Sequence, residues 1–243
     1  MKVTVVADYD EMSTKAADIV AETIAANPTC TLCLPTGNTP LGMFKNLIER
    51  IASGRLDASQ AHFFLLDEYV GIDADDPESL TGWLRKSFFE PAGIADDHIH
   101  ELPAQAADLA ESARHYEAEL AARGGFELAV LGLGSNGHLA YNEPGSPGDS
   151  RTRVLTLTDE SIEQARGYFE GRTVPTQAIT AGIGTLLEAR KIVVLVSGEA
   201  KAEILKDALF GTETPEVPAS FLQRVSDRVQ IIADRPATSL FPV

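Results

Sequence analysis

The chain alternates between short apolar runs and longer stretches with helical spacing. Lys2 to Ala7 reads as a strand. Ser13 to Ala26 sets Ala17, Ile19, Val20 and Ile24 at helical intervals, with Ser13 as the expected N-cap. Cys30 to Leu34 is a second strand, and Pro40 to Ile51 a helix with proline in its first turn. His62 to Leu66 is a third strand, and Glu78 to Phe89 and Ala106 to Ala122 read as helices. Phe126 to Leu133 is a nearly unbroken apolar run between glycines, the pattern of a buried parallel strand. Arg153 to Thr158 forms a short strand. Thr180 to Leu187 and Glu199 to Leu209 read as helices on either side of the strand Ile192 to Val196, and Val229 to Ala233 is the last strand. This rhythm predicts an α/β fold: one domain over residues 1–243, with a mostly parallel sheet and helices on both faces.

Charge narrows the function classes. Twenty Lys and Arg against 36 Asp and Glu leave a net charge of −16, which argues against nucleic acid or anionic lipid as a partner. No run of about 18 apolar residues is present, and the N-terminus lacks the apolar stretch of a signal peptide. A cytoplasmic enzyme or binding protein is the expected class. The two cysteines form a Cys30-x-x-Cys33 pair, but residues three apart on a strand point to opposite faces. A redox or zinc role is therefore not expected.

Ligands of open α/β sheets sit beyond the carboxyl ends of the strands, so the strand-to-loop junctions carry the candidate chemistry. The first junction is Pro35-Thr36-Gly37-Asn38-Thr39-Pro40, which offers two hydroxyls, a flexible glycine and a helix N-terminus for an anion. A plain strand–helix turn capped by Thr39 is the simpler alternative. The second junction ends an apolar strand in Asp67-Glu68. Alternation sends one carboxylate to the cleft as a candidate general base and the other to a structural contact.

The third junction runs from Leu131 to Pro144 and contains a literal G-x-G-x-x-G at Gly132, Gly134 and Gly137. A dinucleotide site requires a helix at that point, and Asn142, Pro144, Gly145, Pro147 and Gly148 break it, so no such cofactor is expected. What remains is a glycine loop carrying His138 with Glu143 nearby, an acid/base arrangement. Two cations stand further on: Arg166, and Lys201 at a helix start, where a bound anion would offset the opposed dipole. Either can also be an ordinary surface charge.

Together these segments resemble glucosamine-6-phosphate deaminases. The resemblance spans nearly the whole chain, through Leu34-Pro-Thr-Gly-Asn-Thr-Pro40, Leu66-Asp-Glu-Tyr-Val-Gly71, Asp76-Pro-Glu-Ser79 and Gly134-Ser-Asn-Gly-His-Leu-Ala-Tyr-Asn-Glu-Pro144. It continues through Ser150-Arg-Thr-Arg153, Ala181-Gly-Ile-Gly-Thr-Leu-Leu187, Ser197-Gly198 with Lys201, and Val217-Pro-Ala-Ser220. It implies a Rossmann-like fold shared with 6-phosphogluconolactonases and a phosphosugar substrate, with no metal or redox cofactor. It further implies that Asp67 moves a proton between C2 and C1, and that His138 opens the sugar ring with Asn136 and Glu143 in support. Thr36, Gly37, Asn38 and Thr39 match the phosphate loop, and Lys201 and Arg166 match phosphate-binding cations.

Some positions depart from the family pattern. Asn136 stands where some members have Asp, so Glu143 alone would carry the charge beside His138. Leu155 replaces a basic residue of the allosteric members, and their C-terminal tail has no counterpart after Val243. The resemblance therefore implies no activation by N-acetylglucosamine 6-phosphate, and a monomer or small oligomer rather than a large hexamer. Leu80 and Thr81 stand where members often carry aromatics, which leaves galactosamine 6-phosphate as an alternative substrate. Two other readings are a 6-phosphogluconolactonase, which would carry Asp-Glu-Arg where this chain has Asp67-Glu68-Tyr69, and a non-catalytic sugar-phosphate sensor. With a strand expected from Lys2, no DNA-binding segment is expected ahead of it, and Asp67 and His138, one of which an inert relative would be expected to lose, are both present.

Overall fold

The computed structural model describes residues 1–169 and 171–241. In chain order the first half holds β1 (Lys2–Val6), α1 (Tyr9–Ala26), β2 (Thr31–Leu34), α2 (Leu41–Ala52), β3 (His62–Leu65), β4 (Asp67–Tyr69), α3 (Leu80–Leu84), α4 (Glu90–Ala92), β5 (Ile99–His100) and α5 (Leu109–Ala122). The second half holds β6 (Leu128–Gly132), β7 (Arg153–Thr156), α6 (Asp159–Ala165), β8 (Gln177–Thr180), α7 (Ile183–Leu187), β9 (Ile192–Val196), α8 (Ala202–Phe210) and β10 (Val229–Asp234). Seven strands form one sheet in the order β1-β10-β9-β6-β2-β3-β5, all parallel.

The two sides of this sheet are set by strand alternation. Leu32, Leu34, Phe63, Leu65 and Val130 face one way and pack with Met12 and Val20 of α1 and Met43 and Phe44 of α2. Cys33, Phe64, Leu131, Val194 and Ile231 face the other way, against Tyr116 and Leu120 of α5, Leu186 of α7 and Leu205 of α8. Burying each large side chain contributes about 1.5–3 kcal/mol, so both faces must be covered for the sheet to hold. Cys30 and Cys33 fall into opposite cores as free, buried thiols. Burial pushes the Cys30 thiol up to about 11 and Cys33 further still, which leaves both chemically quiet.

Strand order positions the site. From β2 the chain builds outward through β3 to β5; from β6 it builds the opposite way through β9 to β10. The loops leaving neighbouring β2 and β6 therefore diverge, and a crevice opens between them at the carboxyl edge.

Three local expectations change. The N-cap of α1 is Asp8, whose carboxylate accepts from Glu11 N–H, while Ser13 is buried inside the helix. The stretch Glu78 to Phe89 is not one α-helix. After α3 it widens into a π-helical turn over Arg85–Phe89, and Gly93 at φ 67° closes α4. The wide turn turns both Phe88 and Phe89 inward, where Phe88 stacks on Phe44 at 5.0 Å and Phe89 lies 5.7 Å from Phe63. Thr180 ends a strand rather than starting a helix. It belongs to a second, antiparallel sheet, β4-β8-β7, that hydrophobic periodicity did not predict. Of its strands, β7 falls within the strand expected from Arg153, while β4 and β8 are three and four residues long and β4 is polar, so those two carry too little pattern to read.

Candidate active site

The crevice at the sheet's switch point is a cleft with two adjoining lobes of about 400 and 310 Å3. One lobe is floored by the Pro35–Thr39 loop, Asp67, the Gly132–Gly134 segment and Lys201. The other is walled by Pro77–Leu80 and Trp83 on one side and Ser161–Tyr168 on the other. His138 and Tyr141 border both.

The Thr36–Thr39 loop lies where the sequence places an anion seat. Gly37 takes φ 92°, a conformation that favours glycine, and turns the chain sharply out of β2. The cap of α2 is Pro40 with no side-chain hydrogen bond, so Thr39 does not cap the helix. The Tyr9 hydroxyl takes the Gly42 N–H at 2.9 Å and donates to Asn38 O at 3.1 Å, tying the loop to α1.

Asp67 begins β4 and pairs across to Thr180 of β8. It is 7 % exposed and opens into the cleft, whereas Glu68 points away, as alternation requires. Burial, reinforced by the charge of Glu68 and opposed by the Tyr141 N–H, pushes the Asp67 carboxyl up to about 8. A carboxyl held there takes and returns a proton near neutral pH, as a shuttle between two carbons must.

His138 lies in the glycine loop. Gly134 N–H bonds the His138 carbonyl at 3.0 Å, and a Cβ on Gly134 would stand 2.3 Å from the imidazole. Only glycine lets the ring lie there. His138 Nδ1 is 3.4 Å from Glu143 Oε2, the same oxygen that accepts from Asn136 Nδ2 at 2.8 Å. Asn136 Oδ1 in turn accepts the His138 N–H at 3.2 Å. Burial pushes the Glu143 carboxyl up, but His138, Ser161 and Asn136 together hold it down at about 2. Glu143 is thus a fixed negative charge that orients the imidazole, and Asn136 orients Glu143.

The loop is stitched to the second sheet. Asn142 is fully buried; its amide donates to Leu139 O and Ala181 O, and its oxygen accepts from Arg153 at 2.8 Å. Ala140 takes φ 51°, rare for a residue with a side chain, immediately before Tyr141, whose hydroxyl meets that of Tyr69 at 2.6 Å.

Lys201 sits in the turn between β9 and α8 and lines the cleft. The Asp234 carboxylate shapes that turn, accepting from Ser197 Oγ at 2.5 Å and from Gly198 N–H. Burial lowers the Lys201 ammonium, and the nearby Glu160 works against that.

Arg166 is not brought into the site. It points to solvent and pairs with Glu163 at 3.0 Å. The reason is helical phase: Gln164 and Tyr168, four apart, face the cleft, and Arg166 lies midway between them on the opposite side. Sequence reasoning missed Gln164 and Tyr168, although their i, i+4 spacing with Glu160 was available. Ser135 Oγ accepts from Gln164 at 2.5 Å and donates to Glu160. Arg166→Ala is accordingly expected to leave kcat/KM within about two-fold of wild type, the range of an exposed ion pair. Steady-state kinetics at fixed ionic strength checks this, and a tenfold rise in KM would return Arg166 to the site. No cluster of three metal-ligating side chains occurs among the described residues, and none of their helices is long and apolar enough to cross a membrane.

Comparison with known proteins gives consistent findings. A family model described as glucosamine-6-phosphate isomerases/6-phosphogluconolactonase matches residues 7–231. A glucosamine-6-phosphate deaminase of Thermoanaerobacter sp. (strain X514) is 42 % identical over 243 residues, covering 100 % of this chain and 96 % of the relative. One from Rhodopirellula baltica is 39 % identical, covering 99 % and 96 %. Among solved structures, a monomeric glucosamine-6-phosphate deaminase superposes with a TM-score of 0.94 at 36 % identity, covering 99 % of this chain and 100 % of that one. The 6-phosphogluconolactonase of Trypanosoma cruzi shares the fold, with a TM-score of 0.78 at 22 % identity and coverage of 100 % and 97 %.

Proposed function

The chain belongs to the family of glucosamine-6-phosphate isomerases and 6-phosphogluconolactonases, and from that premise we propose that it converts glucosamine 6-phosphate and water to fructose 6-phosphate and ammonia. The observation that carries this is convergence. Asp67, His138 and the Thr36–Thr39 loop open onto one cleft, in a chain whose named full-length relatives are deaminases.

In this reading the phosphate sits on Thr36, Gly37, Asn38 and Thr39 with Lys201 as counter-charge, and its binding energy orients the distant carbons. His138, held by Glu143 and Asn136, takes the anomeric hydroxyl proton and returns one to the ring oxygen, opening the pyranose. The C2 proton, acidified by the new aldehyde, passes to Asp67 and is returned at C1 through an enolamine. Water adds to the resulting imine at C2 and ammonia leaves. The 6-phosphogluconolactonase reading loses ground at Tyr69, whose hydroxyl is tied to Tyr141 where a lactonase would hold an arginine. For the solution state we favour a monomer or small oligomer, in keeping with the monomeric deaminase that superposes on the chain.

The test is ammonia release from glucosamine 6-phosphate, with galactosamine 6-phosphate and 6-phosphogluconolactone assayed alongside. Stoichiometric ammonia and fructose 6-phosphate, at about 1–1,000 turnovers per second, is the expected result. Turnover of either other compound alone would reassign the sugar end of the cleft.

A further inference from the structure

The carboxylate beside Asp67 has no part in the chemistry above, yet it is among the most completely engaged acids in the molecule. Glu68 is 2 % exposed. Its Oε1 accepts the N–H groups of Tyr69 at 2.8 Å and Leu80 at 3.0 Å, and its Oε2 accepts that of Thr81 at 2.8 Å. Burial raises the Glu68 carboxyl and the three accepted N–H groups pull it back down; because all three bonds are accepted, the geometry suits the ionised form. Leu80 and Thr81 open α3, whose first N–H groups have no partner within the helix. Ser79 Oγ takes the next one, Gly82 N–H, at 2.7 Å. Glu68 therefore caps this helix from a strand twelve residues away in sequence. The capped turn matters because Ser79, Leu80 and Trp83 wall the cleft opposite Ser161–Tyr168.

We infer that Glu68 is a positioning residue: it ties the first turn of α3 to the strand that carries Asp67, so that the cleft wall and the proton-transfer carboxylate form one structural unit. Its charge has a second consequence. The groups packed near Asp67 are the thiol of Cys33 from β2, the phenols of Tyr116 from α5, Tyr69 from β4 and Tyr141 from the glycine loop, with His138 and Lys201 across the cleft. Burial keeps that thiol and those phenols neutral; burial of the Asp67 carboxyl does most to hold its proton on, and the Glu68 charge, on the next residue of β4, adds to it.

This inference rests on the deaminase reading, which ammonia release by the wild type tests by itself. Hydrogen exchange at Leu80 and Thr81 reads the tether whether or not substrate is turned over. Glu68→Gln sets an amide NH2 against a backbone donor. It is expected to speed exchange at those two amides about tenfold. KM for glucosamine 6-phosphate should rise several-fold, and the acidic limb of kcat/KM should move down by about one pH unit as Asp67 loses its charged neighbour.

Glu68→Asp keeps the charge but is one methylene short. It should restore the acidic limb while exchange stays fast and KM stays high. Ser79→Ala loosens α3 without touching the charge and should leave the limb in place. Wild-type exchange and an unmoved limb in Glu68→Gln would overturn the inference. Should that variant fail to fold, unchanged exchange and KM in Glu68→Asp would do the same.

Discussion

Asp67→Asn is expected to abolish turnover and, at the same time, to make the protein more stable above neutral pH. The first effect follows from losing the group proposed to carry the C2 proton, about a thousandfold or more in kcat. The second follows from burial. The Asp67 carboxyl is pushed up to about 8 from an ordinary value of 3.8, by burial first and by the Glu68 charge second. Between those two pH values the folded chain holds a proton that the unfolded chain releases, so stability falls as pH rises through that window. Below it both forms are protonated and the group contributes nothing. Asparagine is neutral throughout, and the Tyr141 N–H keeps its partner in Thr180 Oγ1. Its advantage should be absent near pH 4 and grow to roughly 1–3 kcal/mol by pH 8, a rise in Tm of about 3–10 °C. Thermal melts of both proteins at pH 4.5, 6 and 8 decide it. Parallel curves would mean that Asp67 is ionised in the free enzyme already. The same linkage sets the wild-type rate profile: kcat/KM should climb through about pH 8 as Asp67 loses its proton.

Those expectations start from Asp67, which the resemblance singled out from a pair that alternation alone left open, and which opens into the cleft. Asp67 and Glu68 follow directly on an apolar strand, so period-two alternation alone sends one to the cleft and the other away. Thr36–Thr39 and the Gly134–His138 loop were legible for a similar cause: each immediately follows a strand, and strand ends are where such sheets bind ligands. Arg166, which the resemblance implies as a phosphate-binding cation, lies outside the cleft because of its helical phase. On its short helix the inward positions are Gln164 and Tyr168, neither of which looks like a binding residue in one dimension. Long-range stitching was invisible altogether. Arg153 reaching Asn142, and Glu68 capping α3, depend on a three-stranded antiparallel sheet of which β7 alone was legible; its pairing with the short strands β8 and β4 leaves no periodic mark.

The same contrast between local and distant cations makes Lys201 the sharper test of phosphate binding. The whole chain carries −16, so a phosphate dianion approaches an unfavourable field and must be captured by something close. Of the described residues lining the lobe that holds the Thr36–Thr39 loop, Lys201 is the one permanent cation. Half-burial strengthens its attraction for an anion, because the same desolvation that lowers the ammonium is relieved when a negative group arrives. Removing it should cost about 1.5–3 kcal/mol, or roughly a 10- to 150-fold loss in kcat/KM for glucosamine 6-phosphate. Loss of general stability would also lower activity, so the discriminating comparison is with unphosphorylated glucosamine. If Lys201 acts on the phosphate, Lys201→Ala should leave whatever turnover glucosamine supports unchanged, and the preference for the phosphorylated sugar should collapse by the full factor. Equal losses on both sugars would place Lys201 in the scaffold instead. In that case the seat would rest on the Thr36–Thr39 loop, with Gln164 and Tyr168 facing it.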